Sequence, residues 1–139
     1  MNKDQIISKV KALRLPQGEY IVFGSCPLAL AGIRPSRDID LLVSPALRET
    51  LRKAGWQQIT KSPNDKPLTF GEFEAHDNWN FTSYSPSLKS LLATATIVDG
   101  VPFASLEEVR KWKAAGTRPK DLADIKLIDE YLNNTSRKT

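Results

Sequence analysis

The sequence predicts one α/β (α+β) domain: a mixed central sheet with helices packed on it and a helical C-terminal end. Two observations carry this. Short apolar runs rich in β-formers alternate with helix-period segments between Asp4 and Ala54. Two further helix-period segments, Ser105 to Gly116 and Pro119 to Leu132, then close the chain. A chain of 139 residues suffices for one domain with a real core. That domain is expected over residues 1–134, with 135–139 as a disordered polar tail.

From the start, Ile6, Ile7, Val10 and Leu13 recur at helical spacing between lysines, so Asp4 to Arg14 reads as an amphipathic helix lying on the sheet. Pro16-Gln17-Gly18 turns the chain into an apolar strand, Tyr20 to Phe23, which Gly24-Ser25 ends with a small-residue turn. Pro27 to Ala31 is a brief helix whose first N–H groups face any anion at the turn, and Gly32 ends it. After the polar loop Arg34 to Arg37 comes a second strand, Asp38 to Val43. Ser44-Pro45 caps a helix that ends near Ala54.

Trp56 to Thr60 reads as a strand with Trp56 in the core, Lys61 to Pro67 as a loop, and Leu68 to His76 as the span of the next strand. Trp79 and Phe81 are expected to continue the core. Ser85-Pro86-Ser87 caps a short helix to Ala95, Asp99-Gly100 turns a small hairpin within Thr96 to Phe103, and Ser105-Leu106-Glu107-Glu108 is a capping-box sequence.

The net charge of +4 suits a polyanionic partner such as a nucleotide or RNA without requiring one. The lone Cys26 excludes an internal disulfide framework and fits a reducing cytosol, and it reads as core filler. No apolar run of membrane length and no signal peptide is visible, so a cytoplasmic location away from membranes is expected.

One constellation asks for chemistry. Alternation along Asp38-Ile39-Asp40-Leu41 puts both carboxylates on one strand face. Aspartate is a poor strand former, and two like charges side by side repel unless a cation neutralises them. Hard oxygen ligands of this kind suit magnesium or manganese.

Phe23-Gly24-Ser25, a spacer, then Asp38-Ile39-Asp40-Leu41 resembles the signature of the nucleotidyltransferase superfamily related to DNA polymerase beta. A second resemblance, to small stand-alone bacterial nucleotidyltransferase-like proteins, runs through Asp99 to Glu108, Trp112-Lys113 and Arg118 to Ile125. Some relatives of that kind modify antibiotics; others are toxins of toxin–antitoxin or abortive-infection systems. The resemblance implies the nucleotidyltransferase fold, with the Gly24-Ser25 turn on the nucleotide's phosphates and the carboxylates on two Mg²⁺ or Mn²⁺ ions.

It also implies a third carboxylate. Glu72, Glu74 and His76 share one face by period two, and Asp77 lies on the other. Glu74, flanked by Phe73 and Ala75, is preferred, with Asp77 next and Glu72 third. His76 reads as a strand-end residue, with base or ligand as the sharper alternative. Lys113, Arg118 and Lys120 gather cations at a helix junction, where Lys113 and Lys120 are the candidate triphosphate ligands.

The implied reaction is metal-assisted transfer of a nucleoside monophosphate from an NTP, such as ATP, to a hydroxyl of RNA, protein or a small molecule. Asp38, Asp40 and Glu74 would hold the ions, and Asp38 or Asp40 would take the acceptor's proton. The competing reading is a catalytically inactive module of the same fold that binds nucleotide, RNA or a protein partner. A homodimer or a partner protein would supply an acceptor surface in either case.

Overall fold

The computed structural model describes residues 1–63, 65–77, 84–116 and 118–137. The expected core residues Trp79 and Phe81 lie outside the described residues. The elements run α1 (Lys3–Ala12), β1 (Tyr20–Phe23), α2 (Cys26–Leu30), β2 (Ile39–Val43), α3 (Pro45–Lys53), β3 (Gln57–Gln58), β4 (Leu68–Phe70), β5 (Phe73–His76), α4 (Leu88–Ala93), β6 (Thr96–Val98), β7 (Val101–Phe103), α5 (Leu106–Gly116) and α6 (Pro119–Arg137). The strands form one sheet in the order β3-β4-β5-β2-β1-β7-β6, parallel at β1/β7 and β2/β5 and antiparallel elsewhere. None of the described helices is long and apolar enough to cross a membrane.

Local chemistry sets most boundaries. The Ser44 side chain accepts from the Leu47 N–H and Pro45 opens α3; Ser87 and Ser105 cap α4 and α5 in the same way. At α1 the cap is Asn2, in a reciprocal box with Gln5. The β6–β7 hairpin turns on Asp99 and Gly100, whose φ angles of 53° and 79° fit a type I′ turn.

Two segments depart from the sequence reading. Leu68 to His76 is a hairpin of two strands, β4 and β5, turning at Gly71 in the left-handed region. The last helix continues to Arg137, past Leu132 and into the segment expected as tail, because neither glycine nor proline stops it.

Period-two alternation divides the core across the sheet. Ile39, Leu41 and Val43 of β2 face Ile6 and Val10 of α1 and Leu47 and Leu51 of α3. Ile21, Phe23 and Leu42 face Leu91 of α4, Val109 of α5 and Ile128 of α6. Each fully buried aliphatic side chain contributes about 1.5–3 kcal/mol, so both layers are needed to fix the sheet. Asp40, Glu74 and His76 point to the α4–α6 side, at the end of the sheet where that helical layer leaves an opening.

Candidate active site

Strand register brings the acids together. In the parallel β2–β5 pair, Asp40 lies opposite Glu74 and Leu42 opposite His76. One carboxylate oxygen each from Asp40 and Glu74 and a ring nitrogen of His76 lie within 4.8 Å of one another, enough to hold a metal ion. They line a cleft of about 590 Å³ that Ser25, Asp38, Lys61, Asp65 and Lys120 also face.

The turn after β1 is fitted to Asp40. Gly24 has φ +67°, and a Cβ built there would stand 2.3 Å from Asp40 Oδ2. Only glycine lets the turn and this carboxylate share the space, and glycine adopts that backbone without strain. The enclosure has an electrostatic consequence: burial first, with the neighbouring Glu74 and Asp38 charges, raises the Asp40 carboxyl to about 6 against the pull of His76 and Lys61.

Glu74 is tuned the other way. A hydrogen bond from His76 Nε2 at 2.9 Å and an ion pair with Lys61 Nζ at 2.5 Å hold its carboxyl near 2, against the effect of burial. Burial by itself would lower His76, but Glu74, Asp40 and Asp65 outweigh it and raise the imidazole. The two carboxylates are thus pushed apart: Glu74 is a permanent anion, whereas Asp40 gains its charge most readily beside a cation.

A second network ties the turn to the C-terminal helices. Arg34 donates Nε and Nη2 to the Asp124 carboxylate at 2.8 and 2.7 Å, and Nη2 also reaches Ser25 Oγ at 2.9 Å. Asp124 accepts in turn from Lys113 at 2.9 Å, with Asp121 3.9 Å away, and Arg118 clasps Asp121. Lys113, Asp121 and Asp124 are all buried.

Comparison with known proteins adds the fold. No protein-family model and no curated protein sequence matches the chain. Two solved structures of ANT(2″)-Ia are similar to it. The crystal structure in complex with adenylyl-2″-tobramycin shares 14% identity at a TM-score of 0.53, over 91% of this chain and 85% of that one. The solution structure, of an antibiotic-resistance factor with substrate-regulated conformation dynamics, shares 15% at 0.54, over 95% and 86%. The chain has the nucleotidyltransferase fold.

Within the nucleotidyltransferase fold the expected residues fall as follows. Asp40 and Glu74 meet; Asp77 lies 3.7 Å from Arg48 of α3, and Glu72 pairs with Lys9 of α1 at 2.7 Å. Asp38 precedes β2, is exposed and lines the cleft, but among the described residues it does not join the three donors. Gly24 and Ser25 form the turn, with Ser25 at the start of α2. Pro27 in the first turn of α2 has no N–H to offer an anion. Lys120 stands exposed on the rim, whereas Lys113 is committed to its acids. Burial pushes the Cys26 thiol up to about 12, in keeping with a core residue.

Lys61, Asp65, Arg34 and Asp124 were not singled out from sequence as site residues. Lys61 and Asp65 lie in a segment readable only as loop, and Arg34 meets Asp124 across ninety positions, beyond any local pattern. His76 carried the one usable signal, two residues after Glu74 on the same strand face.

Proposed function

We propose that the protein is a metal-dependent nucleotidyltransferase that moves a nucleoside monophosphate from an NTP to a hydroxyl acceptor. The supporting observation is the in-register pair Asp40–Glu74 against the Gly24 turn, in one cleft of a nucleotidyltransferase fold. The donor set fits a divalent cation: two carboxylate oxygens converge, and Asp40 is enclosed without a direct cationic partner among the described ion pairs. Asp40 and Glu74 would hold the ion, with Asp38 at the mouth and His76 steadying Glu74 through its Nε2. When bound, such an ion supplies Lewis-acid charge to the phosphates.

The chain's own residues do the rest. Ser25 accepts from Arg34, which leaves its hydroxyl proton to be given to a phosphate oxygen. Lys120 and Arg118 on the rim meet the triphosphate's charge, while Lys113 keeps α5 and α6 in place through Asp124. Asp38, exposed in the cleft, takes the proton of the attacking hydroxyl. The acceptor to try first is an aminoglycoside, because ANT(2″)-Ia is seen with adenylyl-2″-tobramycin.

The test is pyrophosphate release and transfer of labelled nucleotide from each of ATP, GTP, CTP and UTP, with Mg²⁺ or Mn²⁺, to tobramycin, to RNA and to the protein itself. Transfer that Asp40→Asn abolishes is the expected result. Metal-dependent NTP binding with no transfer to any acceptor would instead support the inactive binding module. That second reading has one observation in its favour: Glu74 is already ion-paired to Lys61 and His76.

A further inference from the structure

The ion count follows from a residue outside the sequence motif. We propose that Lys61 is a built-in cation of this site, standing on Glu74 where a second divalent ion would stand, so that the site takes one divalent ion; the inference rests on the nucleotidyl-transfer reading above. The Lys61 ammonium lies 2.5 Å from Glu74 Oε1, and His76 Nε2 lies 2.9 Å from the same oxygen. A second dication at Glu74 needs a carboxylate oxygen and room beside it, and here one oxygen already receives both the Lys61 ammonium and the His76 N–H.

The placement of Lys61 is built rather than incidental. Its backbone N–H donates to the Asp65 carbonyl at 2.8 Å, and the Asp65 N–H donates back to the Ser62 carbonyl at 3.1 Å. This pinched turn joins β3 to β4, and β4 pairs with β5, so the lysine is carried beside Glu74 by the sheet itself. Asp65 from the same turn lies 3.5 Å from His76 Nδ1, which steadies the imidazole on its other side.

The opposite side of the site points the same way. Asp38, which the resemblance would give to the ions, stays outside the group of converging donors among the described residues. Its carbonyl is tied down by the Ser36 hydroxyl at 2.8 Å and the Cys26 thiol at 3.3 Å, which fixes the backbone at the entry to β2. Asp40 and Glu74 together can neutralise one dication. A second would have to displace the ammonium from Glu74 against like charge.

Manganese alone, titrated into the protein and followed by the electron paramagnetic resonance signal of free Mn²⁺, tests this without any turnover. The expected result is about one equivalent bound by wild type and by Lys61→Arg. Lys61→Met should take about two equivalents, or hold the first roughly tenfold more tightly, because Glu74 has lost its resident cation. Lys61 is half-exposed in a surface turn, so the variants should keep the wild-type circular dichroism. Two equivalents in wild type would overturn the inference and leave nucleotidyl transfer standing, as would a Lys61→Met titration identical to wild type. No manganese bound by wild type would overturn both.

Discussion

Replacing Gly24 with alanine is the sharpest probe of how the turn and the carboxylate depend on each other. The added Cβ would stand 2.3 Å from Asp40 Oδ2 and 3.0 Å from its carboxyl carbon. Asp40 would have to retreat by roughly 0.7 Å to reach even the shortest tolerable contact, and a misplacement approaching 1 Å costs a catalytic site on the order of 100-fold. The φ of +67° adds a strain of about 1–2 kcal/mol for any residue with a Cβ. Gly18→Ala separates the two effects: φ there is +83°, and nothing lies within 4 Å of the new Cβ. Gly18→Ala should lose about 1–2 kcal/mol in urea unfolding, and Gly24→Ala at least as much. Only Gly24→Ala should weaken Mn²⁺ and NTP binding in calorimetry and lower nucleotidyl transfer by roughly 100-fold. If Gly24→Ala binds as Gly18→Ala does, the turn does not position Asp40.

Four further predictions rest on charge. Asp40 is harder to ionise in the folded protein than in the unfolded chain, so its contribution to stability is fullest below about pH 4 and is lost as pH rises through about 6. Asp40→Asn should therefore gain on the order of 2 kcal/mol over wild type at about pH 8 and little at about pH 4, measured by urea unfolding without metal. Glu74 has the opposite sign: its pairing stabilises the protein above its ordinary carboxylate range and is lost as pH falls toward about 2, so Glu74→Gln should narrow the gap to wild type under acid. Asp124→Ala would strand buried Lys113 and free Arg34 from Ser25's side, at a cost of about 3 kcal/mol in chemical denaturation. Lys120→Ala, on the rim, should leave stability within about 0.5 kcal/mol and weaken NTP binding in calorimetry.

Where neighbours in sequence are neighbours in space, the fold was legible. Tyr20 to Val43 reads correctly as strand, glycine turn, short helix and strand, because apolar runs and glycines act within a few residues. Asp99-Gly100 and the serine caps were legible for the same reason. The β4–β5 turn was not: Gly71-Glu72 interrupts a stretch whose alternation otherwise runs on, so one strand was expected where two stand. At the site, period two favoured Glu74 over Asp77; the parallel register sets Glu74 opposite Asp40, while Asp77 lies beside Arg48. Asp38 was placed on the strand with Asp40, yet β2 begins one residue later. Lys113 reads as an available cation until two acids from α6 close on it, and nothing local announces that burial.

The measurement that tests the central claim most directly is calorimetric titration of ATP, GTP, CTP and UTP, each with Mg²⁺, into wild type, Asp40→Asn and Glu74→Gln. Magnesium-dependent binding of at least one nucleotide by wild type, lost in both variants, is the predicted result. Binding that is indifferent to magnesium or unchanged in both variants, or none at all by folded wild type, would contradict a nucleotidyl-transfer site at Asp40 and Glu74.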